Sequence, residues 1–283
     1  MAMSFDPAAR AEAFRALHNA AGAFVIPNPW DVGSARLLAS LGFKALATTS
    51  AGFAYSLGTS DGRVSRDDVL AHCRAIVEAT ELPVSADLEK GFGDSPESAA
   101  ETIRAAAETG LAGCSIEDHT NRRDDPIFDF TLAVERVAAA AEAARRLPRD
   151  FVLTARCENF LWGRPDLDET IRRLQAFQGA GADVLYAPGL RDLDAIRRLC
   201  AALEKPVNVL AGLSGTTFTV EDLATVGVKR ISVGSALARL AYGACLNAAQ
   251  AIAEQGTFGA LSHGAGFADL EDRFRSFDKP RAG

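Results

Sequence analysis

Short runs of apolar and β-branched residues alternate along the whole chain with longer stretches rich in Ala, Arg and Glu. The short runs have the length of buried strands, and the longer stretches have the length of helices that cover a sheet. The alternation therefore predicts consecutive βα units around a parallel sheet, and eight units can be counted. The predicted strands are 24–28, 45–50, 83–89, 113–118, 151–158, 182–188, 206–212 and 228–234, and helices follow them, for example at 65–81 and 166–179.

The connections differ between the two ends of the predicted strands. Several helices end at a glycine just before the next strand, which is typical of a short helix-to-strand connection. These glycines are Gly42, Gly110, Gly181 and Gly227. Longer and more polar connections follow the strands, at 51–63, 90–96, 119–129 and 159–166. In a (β/α)8 barrel the chemistry lies on such loops, at the C-terminal ends of the strands.

The pattern predicts an α/β fold, namely a single-domain (β/α)8 TIM barrel over residues 1–255 with a C-terminal helical extension at 256–283. We expect the extension, which is rich in Gly and Phe, to pack on the barrel or on a neighbouring subunit. An open doubly wound sheet would show the same alternation, but no GxGxxG follows the first strand to favour it.

The composition narrows the possible partners. The 283 residues are 48% hydrophobic, which is sufficient for one large core, and a net charge of −7 without a basic block disfavours nucleic acid and anionic membranes. No apolar run reaches the length of a signal core or a membrane span, so a cytoplasmic protein is expected. The cysteines form no CxxC pair, and we expect buried free thiols. They are Cys73, Cys114, Cys157, Cys200 and Cys245.

Charged residues stand near the ends of the third, fourth and fifth predicted strands, although barrel strands are buried on both faces. Alternation places Asp87 and Glu89 on the inward face of the third strand, because the apolar residues between them must face the helices. The same argument turns Glu117 inward from the fourth strand, and Arg156 and Glu158 inward from the fifth. We therefore expect four carboxylates and one guanidinium at the mouth of the barrel.

Four acidic groups beside one Arg would repel one another strongly in a pocket of low dielectric constant. A bound cation would offset this repulsion. An all-oxygen ligand set without His or Cys favours a hard ion such as Mg2+, with Mn2+ as a possible substitute. The alternative interpretation is a structural ion network of Arg156 and the carboxylates inside the barrel.

Three motifs carry a resemblance to a known superfamily: DLEKGFG at 87–93, IED at 116–118 and ARCE at 155–158. In this order they resemble the isocitrate lyase/phosphoenolpyruvate mutase superfamily, and the likeness extends from about residue 26 to about residue 246. The resemblance implies a magnesium-dependent barrel whose members make or break a C–C or P–C bond next to a 2-oxo acid. It also implies that Asp87 lies closest to the metal and that Glu89 and Glu117 support the metal, through water or from a second layer of ligands.

The resemblance further implies a substrate-binding set. Arg156 would contact the substrate's carboxylate, and Asp61 matches an acidic residue that follows the substrate-binding turn. That turn, after the second strand, is similar to a Ser-Gly-Leu turn of the superfamily, in which Ser50 or neighbouring backbone N–H groups would hold the anionic end. The residues expected to bind substrate besides Arg156 are Thr49, Ser50, Ala51, Gly52, Phe53 and Gly91.

Two departures from the superfamily patterns narrow the expected activity. The K-[KR]-C-G-H motif of isocitrate and methylisocitrate lyases is absent, because segment 119–126 contains no Cys. The mutases and phosphonopyruvate hydrolases place a His after the sixth strand, whereas this strand ends in Tyr186, Ala187 and Pro188. The expected function is a C–C lyase that decarboxylates an oxaloacetate-like acid or cleaves a substituted malate by a retro-aldol reaction.

The steps of these two reactions differ in their need for a base. Decarboxylation needs none, whereas retro-aldol cleavage of a 2-hydroxy acid requires a group that takes the hydroxyl proton. The candidates for this base are Glu158, Tyr55 and His119. The charge, length and position of segment 119–129 suit a lid that excludes water, and the alternative is a solvated loop. The remaining histidines, His18, His72 and His263, are expected to be structural.

Other functions stay open. One is a P–C bond mutase or hydrolase acting on phosphonopyruvate-like substrates, and another is an isomerase or synthase with a phosphate cradle at 211–215 and 232–237. A third is a non-catalytic barrel. A Schiff-base aldolase is disfavoured, because no predicted strand carries an inward Lys at its C-terminal end. The expected partners are a 2-oxo or 2-hydroxy acid and, as the resemblance implies, further copies of the chain in a homodimer or homotetramer.

Overall fold

The computed structural model describes residues 6–278, which form a (β/α)8 barrel. The strands are β1 (Phe24–Ile26), β2 (Leu46–Ala47), β3 (Val84–Asp87), β4 (Gly113–Glu117), β5 (Val152–Arg156), β6 (Val184–Tyr186), β7 (Val207–Leu210) and β8 (Arg230–Ser232). All are parallel, in the order β1-β8-β7-β6-β5-β4-β3-β2. Between β1 and β2 the N–H of Ala47 donates to the carbonyl of Pro27 at 3.1 Å, which nearly closes the ring. The predicted TIM barrel is confirmed.

Helices surround the sheet and extend beyond it. They are α1 (Pro7–Asn19), α2 (Val32–Ser40), α3 (Ser50–Ser56), α4 (Arg66–Ala79), α5 (Pro96–Ala107), α6 (Phe130–Arg145), α7 (Leu167–Ala180), α8 (Leu193–Ala201), α9 (Val220–Thr225), α10 (Ala236–Gln255) and α11 (Phe267–Asp278). Short 3-10 helices lie at Asn159–Trp162 and Gly259–His263. Among residues 6–278, no helix is both long and apolar enough to span a membrane.

The strands are shorter than the sequence pattern predicts. β3 ends at Asp87, because Glu89 adopts a left-handed conformation with φ of 49°. β5 ends at Arg156, because Glu158 already begins a 3-10 helix. The predicted strand 45–50 retains only two residues as β2, since Ser50 starts α3. Alternating polarity continues past the last ladder hydrogen bond, so it does not mark where a strand ends.

The glycines that the sequence places before strands do end helices or turns in the left-handed region. The φ angles of Gly42, Gly110, Gly181 and Gly227 are 84°, 87°, 108° and 95°. Such angles are accessible to glycine at little cost, which keeps these connections short. The long connections that follow the strands lie at the other end of the barrel, where the strands have their C-terminal ends.

Apolar packing fills the space outside the sheet and closes its lower end. Two clusters pack the strands against the surrounding helices, one centred on α4 and α5 and one on α7 and α8. A third cluster lies at the N-terminal ends of the strands, where Phe14 of α1 is fully buried with Val152 and Val184. Helix α1 therefore plugs the bottom of the barrel and leaves its mouth open for chemistry.

The C-terminal extension returns to its own barrel. In α11, Nη1 of Arg273 lies 3.3 Å from Oγ of Ser40, and the ring of Phe277 lies 5.5 Å from the guanidinium carbon of Arg36. Both contacts join α11 to α2. Residues 1–5 of the predicted barrel and 279–283 of the predicted extension lie outside the described residues.

The cysteines are free thiols, as expected, but they are not all buried. Cys73, Cys114 and Cys157 are buried, whereas Cys200 is half-buried and Cys245 is exposed. The expectation of a buried thiol is wrong for Cys245 because α10 buries only Ala238 within this chain.

Candidate active site

Neighbouring strands bring the predicted charged side chains to the mouth of the barrel. The register places Glu117 of β4 beside Arg156 of β5, and Arg156 beside Tyr186 of β6. On the other side of β4, Asp87 ends β3 in register with Ser115. Since alternate residues of a barrel strand face inward, these side chains enter the same part of the interior.

Arg156 is the centre of this cluster. Its Nη1 lies 3.0 Å from Oδ1 of Asp87, and its Nη2 lies 3.2 Å from Oε2 of Glu117. Oε1 of Glu158 lies 3.0 Å from Nε and 2.7 Å from Nη2. Burial disfavours the charged form of Arg156, but the carboxylates outweigh burial and raise its pKa. One cation thus contacts three carboxylates.

Asp87 joins this cluster to the turn that follows β2. Its Oδ2 accepts hydrogen bonds from the hydroxyl of Ser50 at 3.0 Å and from the N–H of Ser50 at 3.3 Å. The N–H of Asp87 donates to the hydroxyl of Thr48 at 3.0 Å. Thr49 begins α3 as its N-cap, accepting a hydrogen bond from the N–H of Gly52 at 3.3 Å. The sequence-predicted substrate turn is therefore in direct contact with the sequence-predicted metal ligand.

Glu89 lies in a strained turn just above Asp87. Its left-handed φ is uncommon for a residue with a side chain, and Phe92 of the same turn has a φ of 60°. Burial, together with the charges of Asp87 and Asp61, raises the pKa of Glu89 to about 7. Its carboxylate also accepts a hydrogen bond from Asn121. The turn consequently holds a carboxyl group whose charge is poorly compensated.

Glu117 and Glu158 are buried in the same way. Burial raises the pKa of Glu117 well above its usual range, and Arg156 opposes this only in part. Burial also raises the pKa of Glu158, which is 2% exposed and accepts hydrogen bonds from Arg156 and Trp162. The mouth of the barrel therefore holds more acidic groups than its single contacting cation neutralises.

Two cavities meet at this cluster. A deep cavity of about 200 Å³ enters the barrel interior, and an outer cavity of about 630 Å³ lies over the loops. Ser50, Asp61, Arg156 and Leu161 line both of them. Thr49, Ala51 and Asp87 line the deep cavity. Glu89, Glu117, His119, Asn121, Glu158 and Trp162 line the outer one.

Asp61 stands at the junction of the two cavities. The residue as a whole is exposed, but its carboxylate faces the other acids, so that desolvation and the charge of Asp87 raise its pKa. A hydrogen bond with Ser50 opposes the shift. This position is consistent with the role at the substrate turn that the sequence predicts for Asp61.

His119 lies on the loop that follows β4. Its ring stacks on Trp162 with centroids 3.9 Å apart, and its Nδ1 lies 3.8 Å from Oε1 of Glu117. Burial lowers the pKa of His119 to about 4, and its Nε2 has no hydrogen-bond partner among the described residues. An antiparallel bridge between His119 and Ile127 closes the base of the loop. The loop is therefore closed at its base and contributes His119 and Asn121 to the lining of the outer cavity.

Several predicted site residues lie outside the cavity linings. Tyr55 is exposed and meets Tyr242 edge-on, with ring centroids 6.5 Å apart. Phe53 stacks on His72 at 3.8 Å. A Cβ on Gly52 would come within 2.6 Å of the Thr49 side chain, and one on Gly91 would approach α5. The two glycines thus permit close packing, and the structure does not bring Tyr55 to the acidic cluster.

The three residues expected to be structural histidines lie away from the mouth. His18 is buried at the bottom of the barrel, His72 packs on Phe53, and His263 is exposed near the C-terminus.

The predicted phosphate cradle at 232–237 is already hydrogen-bonded to a side chain of the same chain. Its N–H groups at Val233 and Gly234 each donate to Oδ1 of Asn28 at 2.9 Å, so they are not free for an anion.

The acidic cluster fits a hard divalent cation. No group of three or more His, Cys, Asp and Glu side chains within residues 6–278 is arranged to hold a metal by itself. Mg2+ does not require such a group, because it commonly binds one or two carboxylates and completes its ligand shell with water and substrate. Asp87 offers a carboxylate at the cavity, and the raised pKa values of Glu89 and Glu117 reflect a repulsion that a cation would relieve.

Four further residues, which the strand pattern and the motifs did not identify as site residues, contact the acidic cluster or line its cavities. They are Asp118, Asn121, Trp162 and Arg230. Asp118 accepts hydrogen bonds from the N–H of Glu158 at 2.8 Å and from Nη1 of Arg173 at 3.3 Å, and burial raises its pKa to about 6. Asn121 contacts Glu89 from the loop after β4, and Trp162 contacts Glu158 from the 3-10 helix after β5. No local sequence signal places either side chain there. Arg230 was detectable, because the alternation used for β3 to β5 also turns it inward from β8.

Known proteins resemble this chain in sequence and in fold. The family model of phosphoenolpyruvate phosphomutase matches residues 14–253. The chain is 30% identical over 227 residues to the 2-methylisocitrate lyase of Escherichia coli strain K12, with 77% of this chain and 75% of that enzyme covered. A crystal structure from Burkholderia cenocepacia J2315, described as a candidate lyase or mutase, is 56% identical with a TM-score of 0.92, covering 95% of this chain and 96% of that one. The crystal structure of 2,3-dimethylmalate lyase is 27% identical with a TM-score of 0.83, covering 95% of each chain.

Proposed function

The chain belongs to the isocitrate lyase/phosphoenolpyruvate mutase superfamily, and from this membership we propose that it is a magnesium-dependent carbon–carbon lyase. Its substrate would be an oxaloacetate-like acid that is decarboxylated, or a substituted malate that undergoes retro-aldol cleavage. Decarboxylation would produce the enolate of a 2-oxo acid, and retro-aldol cleavage would produce the enolate of a carboxylic acid.

One observation carries the proposal: Asp87, Glu117 and Glu158 converge on Arg156, with Glu89 just above them. A structural ion network would need charge balance, whereas here burial and mutual repulsion raise the pKa values of Glu89 and Glu117. When bound, a divalent cation supplies positive charge beside the oxygens on which negative charge develops during bond cleavage. Asp87 would hold it, with Glu89 and Glu117 in support.

The chain's own residues would bind and orient the substrate. Arg156 reaches the junction of the two cavities and would contact the substrate's carboxylate, since a guanidinium binds a carboxylate through paired hydrogen bonds. Ser50, which donates to Asp87 from both its hydroxyl and its N–H, would turn one of these donors toward the substrate's anionic end. Thr49 and Ala51 line the same wall of the cavity.

The retro-aldol reaction also requires a group that takes the hydroxyl proton. Of the candidates, Glu158 and His119 line the outer cavity, whereas Tyr55 lies outside both linings. Asp61, at the junction of the cavities, is a further acidic group within the site. We therefore favour Glu158 or His119 over Tyr55 as the base.

Segment 119–129 would close over the outer cavity during the reaction. Thr120 accepts a hydrogen bond from Nζ of Lys90 through its carbonyl at 2.9 Å, and Arg122 contacts Asp94 at 2.6 Å. Both contacts join the segment to the turn that carries Glu89. Its role as a lid that excludes water stays a prediction.

A panel assay tests the proposed function. Oxaloacetate, 2-hydroxy diacids such as substituted malates, and phosphonopyruvate are incubated with the protein, with Mg2+ or with a chelator, and the release of pyruvate, other 2-oxo acids or CO2 is measured. We expect magnesium-dependent cleavage of a C–C bond. If phosphonopyruvate alone reacts, release of pyruvate and phosphate would instead support a P–C hydrolase, and formation of phosphoenolpyruvate would support a mutase.

The variant Asp87→Asn tests the proposed metal ligand in the same assay. It keeps the size of the side chain but removes its charge, and we expect kcat/KM to fall by at least about 100-fold, or about 2.7 kcal/mol. Asp194→Asn, at the exposed start of α8, makes the same chemical change away from the site and should leave the rate unchanged. If Asp87→Asn turned over at the wild-type rate, or if the wild type kept its rate in chelator, the proposed metal dependence would be wrong.

A further inference from the structure

Arg230 lies deep inside the barrel, below the acidic cluster. It is the first residue of β8, it is 5% exposed, and it lines the floor of the deep cavity. Its Nε donates to Oδ1 of Asn208 and its Nη2 to the hydroxyl of Thr154, both at 2.9 Å. Its Nη1 lies 3.4 Å from Nε2 of His18. Every one of these partners is electrically neutral at neutral pH, so none compensates the guanidinium charge.

The surroundings of Arg230 differ sharply from those of Arg156. No carboxylate within residues 6–278 forms an ion pair with Arg230, whereas Arg156 contacts three. Burial lowers the pKa of Arg230 to about 10, which leaves it charged at neutral pH. A buried cation without a counter-charge is costly. Such a group is found where neutral acceptors hold it in the fold, or where it faces an anion that binds beside it.

A purely structural role does not account for this position. Arg136, another buried guanidinium, donates to the backbone carbonyls of Lys90, Gly93 and Ser95 and lines neither cavity of the site. Arg230 instead faces an open cavity. An Arg has five N–H groups, and the three contacts described leave two of them for whatever fills the space.

The cavity above Arg230 is polar down to its floor. Ser85, Ser115, Asn208 and Ser232 line it together with Arg230 and the Asp87–Arg156 pair. Tyr186 also lines it, with its ring 5.0 Å from the guanidinium carbon of Arg156 and its hydroxyl hydrogen-bonded to Ser232. Oγ of Ser232 accepts a hydrogen bond from Nδ2 of Asn208 at 3.0 Å, so these two side chains are held in place beside the guanidinium. One cavity with polar walls therefore holds both the proposed reaction centre and an uncompensated positive charge.

We infer that Arg230, with Asn208 and Ser232, is a subsite for an anionic group of the substrate. This inference rests on the proposed function. One carboxylate would pair with Arg156, beside the cation that Asp87 would hold, and a second carboxylate would point down into the barrel toward Arg230. The substrate class is accordingly a 2-oxo or 2-hydroxy acid with two anionic groups, and the second group enters the interior rather than extending out under segment 119–129.

Binding of matched acids tests the subsite without any need for turnover. Calorimetric titration in Mg2+ compares (S)-malate with (S)-lactate, and 2-oxoglutarate with 2-oxobutyrate, because each pair differs only by one carboxylate. In the wild type we expect at least one of the diacids to bind about 10- to 100-fold more tightly than its partner, the range of a charged hydrogen-bonded contact. Equal binding within both pairs would overturn the inference.

Two variants assign the preference to Arg230. Arg230→Met removes the charge and should abolish the preference for the diacid. Arg230→Lys, the matched control, keeps the charge but loses the forked geometry and should retain a smaller preference. Circular dichroism checks that each variant is folded. If Arg230→Met does not fold, Arg230→Lys decides, and an unchanged preference in whichever variant is folded would contradict the subsite.

The outcome is separable from that of the proposed function. A wild type that cleaves its substrate with Mg2+ but binds both members of each pair equally would overturn the subsite alone. A strong preference for diacids that disappears in Arg230→Met, in a protein with no magnesium-dependent cleavage, would overturn the lyase proposal alone.

Discussion

His18 shows how one residue at the bottom of the barrel depends on the charge above it. Its Nδ1 donates to the carbonyl of Phe14 at 2.8 Å, which leaves Nε2 as the acceptor that faces Arg230. Burial, followed by the charge of Arg230, lowers its pKa to about 3. Arg15 and Lys229 add to this effect, and no acid is among the groups that shift it. The neutral ring is therefore part of the folded state.

His18 should consequently destabilise the folded state in mild acid, whereas the raised pKa values of Glu89 and Asp118 act in the opposite direction. A pKa of about 3 in the folded state lies below the value of about 6.5 in the unfolded chain, so the stabilisation is complete above pH 6.5 and is lost as the pH falls toward 3. At pH 5 the loss due to His18 is about 2 kcal/mol. Urea unfolding of wild type and His18→Gln, each at pH 7 and pH 5, measures this difference.

In His18→Gln, which keeps an acceptor for Arg230, the free energy of unfolding at pH 5, relative to pH 7, should be about 2 kcal/mol more favourable to the folded state than in the wild type. His263→Gln, which replaces an exposed histidine, should show the same pH dependence as the wild type. Identical pH dependence in His18→Gln and wild type would show that the ring is protonated or accessible in the folded state.

The sequence predicts individual site residues only where strand periodicity governs them. Asp87, Glu117 and Arg156 end strands, so parity alone turns them to the interior, and the structure brings them into contact. Glu89 lies past the end of its strand, and its place depends on a left-handed turn that alternation does not describe. Trp162 contacts Glu158 from the 3-10 helix that follows β5, an element that the alternation does not predict.

At the scale of elements, the turn from β3 to α5 is held by a residue of another helix. Arg136 of α6 donates to the carbonyls of Gly93 at 2.9 Å, Ser95 at 3.1 Å and Lys90, and its guanidinium lies 4.4 Å from the ring centroid of Phe128. The turn contains the left-handed Glu89 and Phe92, a conformation that side chains disfavour. The contacts of Arg136 offset this strain.

Replacing Arg136 by Met should therefore loosen the turn as well as destabilise the protein. Loss of three charge-assisted hydrogen bonds should lower the free energy of unfolding by about 2–4 kcal/mol, and buried carbonyls left without donors contribute to this loss. Between wild type and variant, the exchange rate of the amides at 88–95 should increase more than that of the amides in β4 and β5. Unfolding experiments and exchange mass spectrometry measure the two effects.

Arg104→Met is the matched control, because Arg104 of α5 pairs with exposed Glu97 and binds no backbone carbonyl. We expect its effect to stay within about 0.5 kcal/mol, as for most surface substitutions. If Arg136→Met left both the stability and the exchange at 88–95 unchanged, Arg136 would not be what holds this turn.

The order of the elements could be predicted because each βα unit repeats the same pattern, and the glycine-ended helices separate the two faces of the barrel. The lengths of the strands could not, since polar positions such as Ser50 and Glu158 continue the alternation after the backbone has left the sheet. The packing of α11 on α2 in particular could not be predicted from the sequence either, because the pattern does not show which element a helix contacts.

At the scale of the whole molecule, α10 is a long helix that the single chain leaves largely uncovered. Its 20 residues include only two charged side chains, Arg239 and Glu254, and only Ala238 is buried. Leu240 and Leu246 are 70% and 58% exposed, and Tyr242 is 41% exposed. These side chains do not share one narrow face, and a helix that is apolar on most sides is normally surrounded by protein.

We propose that α10 packs against a second copy of the chain, so that the protein is a homodimer or a homotetramer. The double variant Leu240→Asp with Leu246→Asp places two charges on this helix, which a buried interface does not tolerate. Size-exclusion chromatography with light scattering should show the wild type at twice or four times the mass of the chain, and the variant at a lower multiple. Val220→Asp, at an apolar position of α9 that is 47% exposed, is the matched control and should keep the wild-type mass. A wild type that elutes as a monomer would contradict the assembly, and α10 would then be a stable helix whose apolar surface faces water.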